Sequence, residues 1–425
     1  MKTSTLSLLA LAFASTGLTS LPAMAQQRDD DLQRGETVLE RRRPEVEQLG
    51  IRAGSFRFLP RVEAGATYDS NVFATENDRK HDYIWTVQPR LDIRSDFSAH
   101  ALNFTASADA GRYSDYSSEN YTDYTVQADG RYDVTKSGAV DGQLYHRRRH
   151  EGRGDIDSLA GYAEPVKYTE SGGEVGYTQR FNRLRARLSG TAQYSEYDDV
   201  GIRGGGVAPQ GDRDRWQYGT TARVGYEFIE GYEAFVQGTY SWTRHRRDRD
   251  FNGVKRDSDG YEVVGGIASE LTSLITGEFY AGYLARNYDD SRLEDFGGLA
   301  LGGRINWSVT QLTTVTGSLS RQIRETTSSL GLGTASSYER TILAVGVDHE
   351  LLRTLLLNGR AQYRRDDFNG NNRKDNIATL GAGATYQFSR NLYLTGGYTY
   401  EKRDSNVSGL DYSDNLVYLR LGAQM

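Results

Sequence analysis

The residues of this chain that could do chemistry are charged side chains repeated at every second position, such as Arg90, Asp92 and Arg94. On an extended strand, such residues project from one face. A guanidinium on that face can bind a carboxylate or phosphate through two parallel hydrogen bonds. The alternative is that the opposite charges pair with one another and stiffen the wall. The candidates for this charged face are Arg90, Arg94, Arg131, Arg147, Arg149, Arg185, Arg187, Arg223, Arg360, Arg420, Asp92, Asp129 and Glu227.

Four tyrosines fall on the same face of their segments and could offer stacking surfaces to sugar rings or simply fill volume. They are Tyr145, Tyr197, Tyr393 and Tyr418.

Motifs for catalysis and metal binding are poorly represented. The chain has no G-x-S-x-G motif, and Gly204-Gly205-Gly206 is not followed by the Lys-Ser/Thr of a phosphate-binding loop. Its six histidines lack zinc-ligand spacing, and the absence of cysteine removes thiol nucleophiles, disulfides and Cys metal sites. We therefore predict no enzyme and no cofactor or metal. A barrel hydrolase with a Ser-His site acting on lipid is kept as an alternative.

The elements that position these residues are alternating segments that begin near residue 57 and continue to the end of the chain. In the last segment Val417, Leu419 and Leu421 share one face, while Tyr418 and Arg420 share the other. Arginine is costly on a lipid-facing surface, so the apolar face should meet lipid and the polar face should line a lumen. This pattern predicts membrane-spanning β-strands.

Eighteen such segments start near residues 58, 81, 100, 121, 139, 167, 184, 215, 232, 259, 274, 298, 312, 339, 354, 377, 391 and 414. Short and long connections alternate between them, as in outer-membrane barrels with short periplasmic turns and long external loops. The fold expected is all-β, a transmembrane antiparallel outer-membrane β-barrel of about 18 strands with both termini in the periplasm. Sixteen strands are also possible, because the segments near 139 and 339 alternate least clearly.

Composition agrees with a barrel and disfavours other classes. A mean hydropathy of −0.65 is too polar for a helical membrane bundle, whereas 11% aromatic residues is rich for so polar a chain. Trp85, Trp216, Trp242 and Trp307 fall on outward positions and are expected to anchor at the membrane interface. A net charge of −6 gives no basic footprint for nucleic acid. The partners expected are outer-membrane lipid and lipopolysaccharide, and the outer-membrane assembly machinery.

The N-terminus carries a predicted signal peptide, residues 1–25. Lys2 precedes a short apolar stretch, and Ala23-Met24-Ala25 is an A-x-A cleavage site with Ala23 and Ala25 as its small residues. Residues 26–56 lack strand periodicity and are expected to form a periplasmic extension. That extension could be a solvated tail, a docking segment for a periplasmic export partner, or a plug.

Several segments resemble the "Putative beta-barrel porin 2" family, whose members are often encoded with exopolysaccharide machinery. The resemblance implies an outer-membrane barrel of a Gram-negative bacterium with a transport role, and it carries over no catalytic residue. One departure is the C-terminal Met425, where many such barrels end in Phe. The similar segments are Pro44-Glu45, residues 49–56, Tyr68-Asp69-Ser70-Asn71-Val72-Phe73-Ala74-Thr75, residues 95–102, residues 111–116 and Gln179-Arg180-Phe181.

Together these observations favour a channel for hydrophilic solutes, with export of surface or extracellular polysaccharide as the more specific expectation. A non-conducting structural or adhesive envelope barrel with a plugged lumen is a second hypothesis, from a different functional class.

Overall fold

The computed structural model describes residues 37–39, 41, 43, 45–272, 274–327 and 335–425. Within them the chain forms one large antiparallel sheet, a two-stranded ladder of Val200–Gly201 with Val207–Ala208, and a short 3-10 helix, Ser117–Glu119. The helices of this described part include none with the length and apolar character needed to cross a bilayer. The predicted signal peptide, with Ala23 and Ala25, lies outside the described residues.

Eighteen long strands, numbered here in chain order, make up the described sheet. They are β1 Phe56–Asp69, β2 Asp82–Ser95, β3 Ala101–Tyr113, β4 Tyr121–Asp133, β5 Gly138–His150, β6 Lys167–Phe181, β7 Leu184–Tyr197, β8 Arg215–Ile229, β9 Tyr232–His245, β10 Ser258–Thr272, β11 Ile275–Tyr288, β12 Phe296–Thr310, β13 Thr313–Glu325, β14 Ser337–Leu352, β15 Leu355–Asn369, β16 Lys374–Gln387, β17 Leu392–Ser405 and β18 Tyr412–Gln424.

The sheet closes on itself. Each strand pairs antiparallel with the next, and β18 pairs with β1 from Gln424↔Arg61 to Leu416↔Asp69. The predicted all-β barrel is therefore confirmed with eighteen strands, and the sixteen-strand alternative is wrong. Observed strand starts lie within three residues of the predicted ones.

Side chains alternate between the outer surface and the interior, as the sequence pattern requires. In β18, Val417, Leu419 and Leu421 are about half exposed on the outside, whereas Tyr418 is buried on the inside. Exposed aromatic rings gather near both ends of the outer surface. Those near the long loops include Tyr83, Trp85, Trp216, Tyr240, Tyr261 and Tyr283, and those near the short turns include Tyr132, Phe181, Phe228, Trp307 and Phe388.

Most connections at one end of the barrel are longer than those at the other, which gives it a loop end and a turn end. The exception is the loop-end connection 370–373, which is as short as the turn 388–391. Three loops matter below: L3 (residues 151–166, between β5 and β6), L4 (residues 198–214, between β7 and β8) and L7 (residues 326–336, between β13 and β14). Loop residues therefore surround one mouth of the lumen, and residues of short turns surround the other.

The N-terminal segment folds against the turn end. A short strand, Ile51–Ala53, pairs with the start of β1, so regular structure begins before the predicted boundary at residue 57. Upstream, Arg43 lies 3.5 Å from Glu350, and the backbone N–H of the fully buried Val38 donates to Thr314 Oγ1 at 2.9 Å. This segment therefore reaches from β1 to the β13–β14 side of the turn-end mouth.

The inside–outside assignment predicts a contrast between two substitutions on β8. Val224→Arg puts a charge on the outer surface, where the native side chain is half exposed, and should cost about 2–4 kcal/mol near the membrane midplane. Thr221→Arg places the same charge on the cavity wall and should cost far less. Urea unfolding in lipid vesicles, followed by tryptophan fluorescence, measures both. Equal losses of stability would contradict the assignment.

Candidate functional site

The interior holds a cavity of about 2870 Å³ that reaches both ends of the barrel. Its lining includes Asn182 and Glu230 beside the short turns, and Glu151 and Thr326 at the long loops. The predicted charged face maps onto this lining with one exception. The residues on the cavity wall are Arg90, Arg94, Arg131, Arg147, Arg149, Arg185, Arg187, Arg223, Arg420, Asp92, Asp129 and Glu227.

Arg360 is the exception. It is absent from the cavity lining and donates to Asp348 on the neighbouring strand at 2.6 Å. Asp348 is buried, so Arg360 neutralises a wall carboxylate in the turn-end half of β14 and β15.

Most charged wall residues pair with an opposite charge on the same or a nearby strand. The pairs follow one another along the lumen wall, and we call this series the ladder of ion pairs. Because each pair is neutral, the wall is polar but nearly neutral over much of its area. Among them are Arg90–Asp92 (2.8 Å), Arg147–Glu170 (2.6 Å), Arg185–Glu233 (2.7 Å), Arg187–Asp141 (2.5 Å) and Arg223–Glu278 (3.0 Å).

Positive charge accumulates on β1 and β2 toward the turn end. Arg61 lies directly opposite Arg90, and Arg57 lies opposite Arg94, on the two paired strands. Asp92 is the carboxylate within this group and also accepts from Thr105 at 2.8 Å. This region is therefore more basic than the rest of the wall.

The remaining predicted carboxylates, Asp129 and Glu227, accept hydrogen bonds from nearby groups. Asp129 accepts a hydrogen bond from Asn103 Nδ2 at 2.8 Å, and Glu227 accepts one from the backbone N–H of Gly231 at 3.0 Å. Both side chains thus fix neighbouring parts of the wall or turn.

The four predicted lumen tyrosines all line the cavity. Tyr145 donates to Gln193 at 2.6 Å, and Tyr393 donates to Glu63 at 2.8 Å. Tyr197 stacks on Tyr168 with ring centroids 5.3 Å apart, and Arg420 lies over Tyr418. Their hydroxyls and ring faces are fixed in place, which suits contact with a sugar ring.

L3 folds into the lumen instead of extending away from the barrel. Ile156, at its tip, is buried in an apolar cluster with Ala335 of L7, Tyr338 of β14 and Phe368 of β15. β15 lies eight strands from β5 around a ring of eighteen, so the loop reaches nearly the opposite wall. On the way, the backbone carbonyl of Gly154 accepts from Arg403 Nη1 of β17 at 2.9 Å.

Gly154 makes the close approach possible. A Cβ at this position would lie 2.5 Å from the hydroxyl oxygen of Tyr412, so a larger residue would clash.

Ion pairs hold L3 in place. Arg213 of L4, only 5% exposed, binds the Glu151 carboxylate through two nitrogens and lies 3.6 Å from Asp157. Arg153 forms a bidentate pair with Glu119 at 2.6 and 2.7 Å. The sequence pattern did not predict this arrangement. The available signal was the run of residues 151–157, which combines four charged residues with Gly152 and Gly154.

Two basic runs at the loop end are largely neutralised. In residues 146–150, Arg148 pairs with Asp198, while Arg147 turns to the lumen. In residues 244–249, Arg244 pairs with Asp259 at 2.8 Å. The loop end therefore presents paired charges at these positions.

The environment of Asp155 in L3 makes its docking sensitive to pH. Desolvation and the neighbouring Glu151 raise the pKa of Asp155 to about 6, against opposing effects of the Gly152 N–H, Arg364 and Arg340. The docked loop thus favours the protonated form. Docking should therefore strengthen as the pH falls through the range from about 6 to about 4, and weaken as the pH rises.

This effect can be measured with a nitroxide label on Leu159→Cys, because the natural chain has no cysteine and Leu159 is exposed. The spectrum should show a more mobile label at pH 7.5 than at pH 5. Adding Asp155→Asn should remove most of the difference. An unchanged pH response in that variant would show that Asp155 is not responsible.

Comparisons with known sequences and structures test whether the chain belongs to a known family. No curated protein sequence matches the chain significantly. Among solved structures, OpdK of Pseudomonas aeruginosa with vanillate is 11% identical with a TM-score of 0.45, covering 87% of this chain and 99% of that one. The siderophore receptor PirA of Acinetobacter baumannii is 6% identical with a TM-score of 0.45, covering 86% and 80%. Scores this low carry no information on the solute.

The sequence matches the family described as "Putative beta-barrel porin 2" over residues 43–425, which include all eighteen described strands of the barrel. The expected resemblance is confirmed. This chain therefore belongs to that family and is a porin-like channel barrel of the outer membrane.

Proposed function

We propose that this barrel exports a surface or extracellular polysaccharide, with the turn end in the periplasm and the loop end outside. The observation that carries the proposal is the polar cavity that extends from the short turns to the long loops. Its volume of about 2870 Å³ exceeds the roughly 300–1,000 Å³ of a site for one small molecule. An extended, hydrated chain fits such a space better than a compact ligand.

The wall chemistry supports a sugar polymer. Paired charges offer many hydrogen-bond donors and acceptors without a strong net field over most of the wall, so a hydroxylated chain can exchange partners as it moves. The rings of Tyr145 and Tyr393, fixed by hydrogen bonds to Gln193 and Glu63, add aromatic surface of the kind that packs on sugar rings.

A closed structural barrel is the second candidate, and the docking of L3 across the loop end favours it. Conductance separates the two. Purified protein in planar bilayers should give discrete single-channel currents if the barrel conducts, whereas a fully folded protein without currents would support a structural role.

A hydrolase has less support. In the described part of the chain, no histidine is recorded in contact with both a hydroxyl and a carboxylate. His349 meets Thr313 at 2.9 Å, and His146 meets Ser171 at 2.8 Å, whereas His150 and His245 contact Asp123 and Asp257.

The decisive experiment is a clean deletion with quantification of extracellular and periplasmic polysaccharide. Extracellular material should fall to background while polymer accumulates in the periplasm, and a copy of the gene should restore export. Normal secretion in the deletion strain would refute the export role.

The solute path can be tested with thiol chemistry, because the chain lacks cysteine. Thr191→Cys of β7 lies on the cavity wall, and Leu188→Cys of the same strand lies on the outer surface with 58% exposure. A charged methanethiosulfonate reagent should reduce single-channel current for the first variant and leave the second unchanged. Equal responses would mean that the current does not pass through this cavity.

A further inference from the structure

We propose that segment 151–157 of L3 is a built-in acidic stopper, and that the arginine-rich site it occupies binds an anionic, carboxylate-bearing polysaccharide when the stopper leaves. This inference rests on the proposed export function and narrows its substrate class. Segment 151–157 is called the acidic segment below.

The acidic segment presents carboxylates to the loop-end wall. Its single basic residue, Arg153, is already bound by Glu119 outside the segment. Glu151 and Asp157 are left to pair with Arg213, while Asp155 accepts from the backbone N–H of Gly152 at 2.8 Å. The segment therefore behaves as a short polyanion attached to the barrel.

Arg213 forms one side of the site. Its recorded ionic partners, Glu151 and Asp157, both belong to the acidic segment, and its guanidinium lies 3.9 Å from the ring centroid of Tyr197. Arg215 also lines the cavity and lies 5.8 Å from the same ring. Removing the segment would leave Arg213 without its carboxylates in a polar, solvent-connected cavity.

Arg340, Arg364 and Arg403 form the opposite side, on β14, β15 and β17. Arg340 and Arg364 share one carboxylate, Asp366, at 2.7 and 3.3 Å, so this group carries excess positive charge. Among the described residues, the buried Nε of Arg364, a residue only 3% exposed, makes no hydrogen bond and has only its ionic contact with Asp366. Arg403 donates to Gly154 of the segment.

The guanidinium groups on both sides lie over aromatic rings. Arg340 stands 5.0 Å from the Tyr338 ring centroid, and Arg403 stands 4.6 Å from that of Tyr412. Combined with Arg213 over Tyr197, this fixes cations in place on both walls. Fixed guanidinium groups match a uronic-acid polymer, which carries a carboxylate in each sugar unit.

The attachment of the segment is suited to exchange. Its one buried apolar side chain is Ile156, and its carboxylates are held by polar contacts, including the bond from Thr326 Oγ1 to Asp157 at 2.7 Å. A ligand with carboxylates can replace the contacts that Glu151 and Asp157 make with Arg213, whereas a neutral sugar chain cannot.

The first experiment removes the stopper in the full-length chain by replacing residues 151–157 with a Gly-Ser sequence of equal length. Single-channel conductance should rise, and decagalacturonate should block the current at a concentration about tenfold below that of a neutral glucan decamer. Heat-modified gel mobility and circular dichroism verify that the variant is folded. A folded variant that both oligomers block equally, or that neither blocks, would overturn the proposal.

Adding Arg213→Gln to the stopper-free channel tests the site itself. The carboxylates that pair with Arg213 are already gone, so this change leaves none of them unpaired. The concentration of decagalacturonate needed for block should rise about tenfold, while block by the neutral decamer should not change. No change for either oligomer would exclude Arg213 from the site.

The second experiment locks the stopper in the intact sequence. Ile156→Cys with Ala335→Cys places two thiols in one buried cluster of a chain without other cysteines. With the cross-link verified by gel mobility, oxidised channels should resist decagalacturonate entry and reduction should restore it. Ile156→Cys alone, given the same oxidant, is the control. A verified cross-link without effect would contradict stopper movement.

These outcomes are separable from the export proposal. Normal secretion by the deletion strain would defeat the export role even if uronate block is observed. Loss of secretion together with equal block by acidic and neutral oligomers would defeat only the present inference.

Discussion

Closure of the sheet is the constraint on which the rest of the structure depends. In hydrocarbon, an unpaired backbone N–H or C=O costs several kcal/mol, so β1 and β18 must pair. Their pairing covers Arg61–Asp69 and leaves the first residues of β1 open. The short strand Ile51–Ala53 covers that open edge, and Gly50 N–H donates to the carbonyl of Met425. Pro60, which has no N–H, lies where these two covering segments meet.

Once the sheet closes, each strand has one face toward lipid and one toward a shared lumen, and this explains the paired charges of the wall. Arginine cannot face hydrocarbon cheaply, but a lumen surrounds it with water and carboxylates on neighbouring strands. The ladder from Arg90 to Arg223 is the result. The loop end differs from this pattern of ion pairs between wall strands. There, L3 brings further carboxylates into the lumen, and Arg213 is buried against them.

Local periodicity made the barrel predictable, whereas the docking of L3 has no local signature. Strand positions follow from a repeat of two residues, which also places Arg90 or Arg187 on the lumen face. The segment near 339 is ambiguous because the lumen face of β14 carries Ile342 and Ala344, which weaken the contrast between the two faces. Contacts such as Ile156 with Tyr338 join residues far apart in sequence. Arg360 has the correct phase, yet it pairs with Asp348 and is not part of the cavity lining.

The contacts that hold L3 in the lumen determine which ligands could displace it. A plug held mainly by apolar burial would lose that burial on opening, with nothing in an aqueous lumen to replace it. The acidic segment of L3 instead buries one apolar side chain, Ile156, and is held otherwise mainly by carboxylate–guanidinium pairs. Removing only one partner from such a pair is strongly unfavourable. Opening is least costly when another carboxylate reaches Arg213 as Glu151 leaves. The site is therefore best suited to a ligand that carries the same charged groups as the loop.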